Sequence, residues 1–367
     1  MRPGHQEQRH TQHDAPRRDG EERATLHAVP VTLRDVARLA KVHPSTASRA
    51  LNPVGATTVN AATAARVADA ARKLGYQPNS MARGLRLRRT FTIGMLVPDI
   101  TNPLFPPIAR GIEDRLAQSG YTLVLANTSD DAAKERAIVE LIGKRRVDGL
   151  LLATAERSYP LLDELRAFGV PVVLVNRVTD DPPVSSVVGD DHAGIGHAVR
   201  HLVALGHRRI GFLGGTRAFS TGLMRYQAFL SWMQSEGVTP EPDLIEIASA
   251  FRREPGYEAC VALLDRRPDL TAIVAGNDLL ALGCYAALGD RGLSVPGDVS
   301  VVGYNDIPFA EFFAPPLTTI RIPHREIGIK AADLVLAAIA ERDDTPVSLR
   351  LSPTLVARAS TGPPRTG

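Results

Sequence analysis

The chain has 367 residues, 44% of them hydrophobic, and a formal net charge of +3 at pH 7. This length predicts two or three domains, and no apolar run approaches the roughly 18 residues of a membrane-spanning helix. The polar first 30 residues lack the apolar stretch of a secretion signal, so we expect a cytoplasmic protein without membrane contact.

Charge is distributed unevenly along the chain. Residues 1–30 hold five basic and five acidic residues, whereas residues 31–90 hold eleven basic residues against only Asp35 and Asp69. The rest of the chain has 27 basic and 33 acidic residues. A basic module joined to a mildly acidic body predicts one part that binds a polyanion and another part with a different task.

The first predicted elements are short helices that follow a leader. Residues 1–30 show no hydrophobic periodicity, and we expect them to be disordered. Thr32 with Asp35 three residues later predicts a capping box at the start of a first helix. A second helix is predicted to begin at Pro44 after the capping residue His43, since proline suits the first turn of a helix.

The second helix has two regular faces. Ala47, Ala50 and Leu51 recur at the spacing of a buried face. Polar residues recur at the same spacing on the other face, and they are Ser45, Ser48, Arg49 and Asn52. This pattern predicts a helix that is held by one face and presents hydrogen-bonding groups on the other.

A third helix is predicted from the capping residue Asn60 to Gly75, where glycine suits the end of a helix. The three helices together predict a helix-turn-helix domain over residues 31–77. Residues 78–90 follow as a hinge and linker with four arginines and almost no acidic neighbours. A short helix there would form only against a partner.

From Phe91 onward, short apolar segments alternate with helical ones. Eight strands are predicted, at residues 91–97, 121–126, 148–153, 171–176, 185–189, 209–215, 271–276 and 299–304. Strands separated by helices predict doubly wound parallel sheets, and about 270 residues suffice for two such lobes.

Polar and aromatic residues follow most of these strands. Small molecules bind beyond the carboxyl ends of strands in open α/β sheets. The residues at these ends are Asp99, Asn102, Phe105, Asn127, Ser129, Asn176, Arg177, Asp190, Arg225, Asn277, Asp278, Tyr304, Asn305 and Asp306. Each alone is more simply a helix cap or a turn residue, but their recurrence favours a site for a hydroxyl-rich ligand.

Signatures of enzymes and metal proteins are missing from the sequence. It has no GxSxG elbow, P-loop, HExxH motif or zinc-finger spacing, and residues 194–199 match a dinucleotide fingerprint only at its beginning. The two cysteines, Cys260 and Cys284, lie in apolar segments typical of buried thiols. We therefore expect no catalytic residues, no metal and no cofactor.

Several segments resemble the LacI/GalR family of bacterial transcriptional repressors, in the order found in that family. They are VTLRDVARLAKVHPSTASRALN, VADAARKLGYQPNSMARGLR, IGMLVPDITNPLF, HLVALGHRRIGFLGG, NDLLALG and VPGDVSVVGYNDIPFAEFFAPPLTTIR. The resemblance implies a helix-turn-helix head, a hinge helix and a body like the periplasmic sugar-binding proteins. It also implies a homodimer or, in some members, a tetramer.

The resemblance assigns residues 91–362 to effector binding and dimerisation. The first lobe is expected to hold residues 91–190 and 320–346, and the second lobe residues 191–319 and 347–362. The two lobes together are expected to close around the ligand.

Roles for individual residues also follow from the resemblance. Expected DNA contacts are Thr32, Pro44, Ser45, Thr46, Ser48, Arg49, Asn52, Asn79, Ala82 and Leu85. Leu85 matches the hinge leucine that enters the minor groove of a near-palindromic operator. Expected effector contacts from the resemblance are Phe105, Arg225, Asn277, Asp278 and Asn305, and the positions after predicted strands add Asn102, Asn127, Arg177 and Asp190. Pro44 and Asn305 depart from the residues common in the family, so we expect unusual operator and ligand preferences.

The sequence thus predicts a sequence-specific, nucleoid-associated repressor that binds double-stranded operator DNA and a small, carbohydrate-like effector. One alternative is a repressor with a nucleoside-type corepressor. Another is a solute-binding protein without a transcriptional role, which the basic head and the missing secretion signal disfavour. Induction and corepression by the effector both stay open.

Overall fold

The computed structural model describes residues 31–51, 59–76, 89–145, 147–181, 183–341 and 345–365. They form two compact units, a small helical head and a larger body. The predicted leader and residues 78–88 of the predicted hinge lie outside the described residues.

The head consists of three short helices. They are α1 (Leu33–Leu39), α2 (Pro44–Ala50) and α3 (Ala61–Lys73). Their buried faces meet in a core whose buried residues are alanines and valines, with partly buried leucines and Tyr76 packed against them; the buried residues are Val36, Ala37, Ala40, Ala47, Val67, Ala70 and Ala71. Since such a core buries little apolar area, the head also depends on well-capped helix ends, each worth about 1 kcal/mol.

Side chains beside the helix starts provide these caps. The Asp35 carboxylate accepts hydrogen bonds from the Thr32 backbone N–H and hydroxyl at 3.0 and 2.6 Å. Asn60 Oδ1 accepts the Thr63 backbone N–H at 2.8 Å. Gly75 follows α3 with a φ of 63°, in the left-handed region that glycine adopts without strain. The three predicted helices and their capping residues are therefore confirmed.

The body contains two α/β lobes, each with a six-stranded sheet. The first lobe holds β1 (Thr92–Val97), β2 (Thr122–Asn127), β3 (Gly149–Leu152), β4 (Val172–Val175), β5 (Ser186–Gly189) and β11 (Ser348–Leu351). The second lobe holds β6 (Ile210–Gly214), β7 (Ile245–Ile247), β8 (Ala272–Ala275), β9 (Ser300–Asn305), β10 (Thr318–Arg321) and β12 (Thr354–Val356).

The strand order is β11-β5-β4-β3-β1-β2 in the first sheet and β12-β10-β9-β8-β6-β7 in the second. Described neighbours are parallel, apart from the antiparallel pair β10 and β12. The predicted α/β body of two doubly wound lobes is confirmed.

Helices cover the sheets. The first lobe has α4 (Phe105–Ala117), α5 (Ala132–Arg145), α6 (Leu161–Ala167) and α11 (His324–Glu341), and the second has α7 (Asp191–Ala204), α8 (Ser220–Ser235), α9 (Arg253–Arg266) and α10 (Asp278–Asp290). Along β1, Met95 and Leu96 pack into different core clusters, so both faces of the sheet are buried. This burial explains why the strands are continuous apolar runs. Among the described helices, none is long and apolar enough to cross a membrane.

In the described chain, the lobes are connected after β5, after β10 and after β11. The second lobe was predicted to resume at residue 347, but β11 pairs with β5 in the first sheet, with Ser348 opposite Ser186. That boundary is wrong for residues 348–351, and the predicted return to the first lobe at residue 320 is wrong for Ile320 and Arg321, which end β10 in the second sheet. β11 is an edge strand of four residues, and hydrogen bonding to a strand far away in the sequence determines which lobe it joins. Local hydrophobic periodicity does not predict such a pairing.

Candidate functional site

The helix α2 presents polar groups on its exposed face. His43 caps the helix, and its Nδ1 accepts the Ser45 backbone N–H at 3.3 Å, while Pro44 occupies the first turn. Ala47 is fully buried, whereas Ser45 and Arg49 are exposed. The helix therefore has the two faces that its sequence predicts.

Two other arginines of the described head pair with acidic residues, whereas Arg49 does not. Arg38 pairs with Asp35 and Arg72 pairs with Asp69. Arg49 Nε donates to the Ser45 carbonyl at 3.3 Å, and within the described head no carboxylate forms a salt bridge with it. Its charge is available to a phosphate or a base edge.

The other predicted DNA contacts fall into two groups. Thr32 is exposed before α1, and Pro44, Thr46 and Ser48 are half-buried on α2. The remaining four lie outside the described residues, and they are Asn52, Asn79, Ala82 and Leu85.

The body has a cavity of about 240 Å³ between its two lobes. Its wall comes from segments that follow β1, β2 and β4 in the first lobe and β6 and β7 in the second, with one residue from α10. The lining residues are Pro98, Asp99, Thr101, Asn102, Asp130, Arg177, Phe219, Ala250, Phe251, Arg252, Arg253, Glu254 and Leu279. The cavity thus lies beyond the carboxyl ends of the strands, where small-molecule sites of this fold class occur.

Arg177 is a buried cation on the wall of this cavity, 6% exposed. Its Nη1 donates to the Thr154 carbonyl at 3.0 Å, and its guanidinium carbon lies 3.6 Å from the ring centroid of Phe219 in the other lobe. Burial lowers the pKa of Arg177 to about 10, so the side chain stays charged at neutral pH. Its Nε has no hydrogen-bond partner among the described residues, which suits an oxygen-rich ligand.

The buried carboxylate of Glu135 helps to orient Arg177 indirectly, through Thr154. Glu135 Oε1 accepts hydrogen bonds from the Thr154 hydroxyl and, at 2.5 Å, from the Tyr159 hydroxyl. Burial and the neighbouring carboxylate raise the pKa of Tyr159 above its ordinary range, so its hydroxyl remains a donor. These bonds hold Thr154, and with it the carbonyl that orients Arg177.

A second polar cluster surrounds Arg225 in the second lobe. Arg225 Nε donates to Asp191 Oδ1 at 2.8 Å, and its Nη1 donates to the Gly276 carbonyl at 2.6 Å. The guanidinium carbon also lies 3.9 Å from the ring centroid of Tyr304. Arg225 and Asp191 are 4% and 5% exposed, so the pair is a buried salt bridge at the carboxyl end of the second sheet.

Asp278 joins α10 to the neighbouring strands. It is fully buried, and it accepts the Thr319 hydroxyl at 2.5 Å and the Ile307 backbone N–H at 2.8 Å. Burial raises the pKa of Asp278 to about 7, although both hydrogen bonds act in the opposite direction. Asn305, 2% exposed, has a φ of 112°, and within the described chain its Oδ1 has no hydrogen-bond partner.

Several predicted effector residues use their side chains to stabilise nearby backbone, and among them Asn102 Oδ1 accepts the Leu104 N–H at 3.0 Å. Asn127 Oδ1 accepts the Ile100 N–H at 2.8 Å, and this bond holds the loop after β1. Asp190 caps α7 by accepting the Ala193 N–H at 3.0 Å. Asn277 caps α10 in the same way. The simpler interpretation of such residues, as caps and turn residues, accounts for these contacts.

The structure therefore brings together only part of the predicted set. Asn102 and Arg177 line the cavity, whereas Phe105 is 2% exposed in the hydrophobic core and does not line it. Arg225, Asn277, Asp278 and Asn305 form the buried end of the second sheet.

Several residues of the site were not predicted from the sequence. Asp191 follows Asp190 directly, and a helix turns by about 100° per residue, so the second acid reaches Arg225 while the first caps the helix. Phe251 and Arg252 follow β7, a strand of three residues that periodicity did not reveal.

Two family models match the chain. The model of periplasmic binding proteins and the sugar binding domain of the LacI family matches residues 90–358, and the model of bacterial regulatory proteins of the lacI family matches residues 32–79. Together they cover the body and the head.

Known proteins and structures are similar over most of the chain. The HTH-type transcriptional repressor PurR of Haemophilus influenzae (strain PittEE) is 35% identical over 316 residues, 85% of this chain and 92% of that protein. The ribose operon repressor of Escherichia coli (strain K12) is 35% identical over 330 residues, 90% of this chain and 99% of that protein. The lac repressor dimer bound to operator and the anti-inducer ONPF has a TM-score of 0.75 and 28% identity, over 91% of this chain and 100% of that chain. The complex of the transcriptional regulator CelR with cellobiose has a TM-score of 0.71 and 33% identity, over 90% of this chain and 99% of that chain. By its head, its two-lobed body and these matches, the chain belongs to the LacI family of bacterial regulatory proteins.

Proposed function

We propose that this protein is a cytoplasmic, sequence-specific transcriptional repressor whose affinity for operator DNA is controlled by a small hydroxyl-rich effector bound between the lobes. The observation that carries the proposal is the presence, in one chain, of an exposed Arg49 on α2 and an interlobe cavity lined by the buried Arg177. The relatives named above as repressors support the same function.

In this proposal the head, residues 31–77, binds one half of a near-palindromic operator, and residues 78–90 act as the hinge. A homodimer supplies two heads, so that the two-fold symmetry of the protein matches that of the operator. Ser45 and Arg49 face base edges, while Thr32 contacts phosphate. Because basic side chains replace counterions at the phosphates, binding should weaken steeply with salt.

The proposed effector is a sugar or a sugar derivative. Arg177 and Asn102 supply polar groups for its hydroxyls, and Phe219 and Phe251 supply aromatic surface for its apolar face. The ribose operon repressor and the cellobiose complex among the similar proteins support this class. The same two phenylalanines also suit a nucleoside base, so nucleosides are the second candidate.

We propose no catalytic role for the cavity. Its wall, in the part of the chain that the structure describes, contains no serine, cysteine or histidine. Its carboxylates instead form salt bridges, Asp99 and Asp130 with Arg252, and Glu254 with Arg253. A ligand-binding role needs no further group.

The DNA-binding half of the proposal is tested by selecting an operator from random duplexes and measuring affinity by fluorescence anisotropy over a series of salt concentrations. Arg49→Ala should weaken operator binding by about 1–3 kcal/mol, since one base or phosphate contact is lost. Arg72→Ala removes the same charge from α3, where Arg72 pairs with Asp69, and should have a much smaller effect. If no salt-sensitive, sequence-selective DNA binding were found, the proposed repressor function would be refuted.

The effector half is tested by a thermal-shift screen of sugars, sugar acids, polyols and nucleosides. A ligand at one hundred times its dissociation constant stabilises the folded protein by about 2.7 kcal/mol, a readily measured shift. Arg177→Ala should abolish the shift while leaving effector-free operator binding intact. A ligand that stabilises the parent protein and Arg177→Ala equally would show that the effector binds outside this cavity.

A further inference from the structure

Arg252 connects the two lobes through charge. It lies in the second lobe, directly before α9, and its Nε is 3.4 Å from Asp99 Oδ2. Its Nη2 is 3.1 Å from Asp130 Oδ2. Asp99 follows β1 and Asp130 follows β2, so one guanidinium bridges two carboxylates of the opposite lobe. We call these three residues the interlobe clasp.

Both carboxylates are held in position by their own lobe. Asp99 Oδ1 accepts the Thr101 hydroxyl at 2.6 Å and the Thr101 backbone N–H at 2.9 Å. Burial raises the pKa of Asp99, but these hydrogen bonds and the Arg252 charge outweigh it, and the pKa lies below its ordinary value. Ser129 and Asp130 both have left-handed backbones, with φ of 63° and 56°, which fix the direction of this loop at some cost in strain.

Two interlobe hydrogen bonds join uncharged groups. The Arg157 backbone N–H donates to the Ala218 carbonyl at 2.9 Å, and the Val178 N–H donates to Ser220 Oγ at 2.9 Å. Salt barely affects such neutral bonds, whereas the clasp residues are 26–44% exposed and are screened by ions. Salt therefore weakens the ion pairs between the lobes but not the neutral hydrogen bonds, so their contributions to lobe closure can be measured separately.

We propose that Arg252 is a positioning residue for lobe closure, and that the interlobe clasp holds the effector cavity closed before any effector is bound. All three clasp residues line the cavity together with Arg177. An entering ligand must open the clasp, and a bound ligand benefits from its closure. Apparent effector affinity scales with the population of the closed state, so the clasp sets that affinity.

Lobe opening can be measured directly by electron–electron double resonance between spin labels at Ala133→Cys and Ser249→Cys, two exposed positions on opposite lobes. In effector-free protein, Arg252→Ala should raise the ratio of open to closed molecules about tenfold, which corresponds to about 1.4 kcal/mol. The matched control is Arg209→Ala, since Arg209 forms its described salt bridge within its own lobe, with Asp269 at 3.3 Å, and does not line the cavity. It should leave the distance distribution unchanged.

Salt and charge reversal provide two further arms. High salt should lengthen the distance in the parent protein and have little effect on Arg252→Ala. Arg252→Glu should open the lobes, and adding Asp130→Arg should close them again. The native thiols Cys260 and Cys284 are fully buried and do not compete for the label.

Equal distance distributions for the parent protein and Arg252→Ala at low salt would overturn the proposal, as would equal opening of both by salt. Arg252 is 44% exposed, so its variants are expected to fold. The measurement uses the full chain without operator or effector, and a negative result would leave the proposed function untouched.

Discussion

Replacing Arg225 by alanine is expected to destabilise the body far more than loss of a surface charge would. Its guanidinium donates to Asp191 Oδ1 at 2.8 Å and to the Gly276 carbonyl at 2.6 Å, and the two charged side chains are 5% and 6% exposed. Without Arg225, the Asp191 carboxylate is buried and unpaired. Breaking a buried pair in this way costs about 3–5 kcal/mol, because the remaining charge has lost both water and its partner.

The reason for this loss is tested by a second substitution. Asp191→Asn removes the stranded charge, so the double variant Arg225→Ala/Asp191→Asn should recover about 1–3 kcal/mol of the stability lost by Arg225→Ala. Arg217→Ala is the matched control. Arg217 is exposed, and its guanidinium carbon lies 4.5 Å from the Tyr226 ring centroid, a contact worth about 0.5–1 kcal/mol.

Urea unfolding followed by circular dichroism measures these differences, at one protein concentration because assembly adds to apparent stability. A loss below about 1 kcal/mol for Arg225→Ala would refute the argument from a buried charge. So would a double variant no more stable than the single one, because the stranded carboxylate would then not be the cause.

Two further predictions concern pH and packing. Burial raises the folded-state pKa of Asp278 from its ordinary 3.8 to about 7, so the folded protein binds an extra proton between these values. The free energy of unfolding should therefore fall as pH rises through this range, and urea unfolding at several pH values should show a weaker fall for Asp278→Asn. Gly111→Ala would place a Cβ 2.2 Å from the Arg325 carbonyl oxygen, and forcing α4 and α11 apart should cost about 1–3 kcal/mol. Gly289→Ala has nothing within 4 Å of its new methyl group and should instead stabilise α10 by up to about 1 kcal/mol; equal thermal shifts for the two would contradict the packing argument.

Much of the fold follows from local sequence. The helix starts at Thr32, His43 and Asn60 were predictable because a capping side chain reaches only two or three residues along the chain. Most of the eight predicted strands are buried on both faces and are therefore continuous apolar runs, and the exception is the edge strand β2, in which Val124 is 53% exposed. Both signals act within a few residues, so one sequence contains them in full.

Four described strands were not predicted, namely β7, β10, β11 and β12, and two of them, β7 and β11, lack such a signal. β7 is only three residues long, and β11 has half-exposed and exposed side chains because it lies at the edge of its sheet. β11 belongs to the first lobe because Ser348 pairs with Ser186, which lies 162 positions earlier in the sequence. The side chains of these two serines also form a hydrogen bond. Sequence periodicity carries no information about a partner at that distance.

The candidate site divides in the same way. By itself, the sequence determined that polar and aromatic residues gather at the carboxyl ends of the strands, because parallel strands bring those ends to one edge. Only the tertiary structure decided their tasks, making Asp190 a cap, Asp191 the partner of Arg225, and Arg252 the bridge between lobes. The physical reason is that a carboxylate or an amide can cap a helix, pair with a charge or bind a ligand equally well, and the group it meets is set by residues far away in the chain.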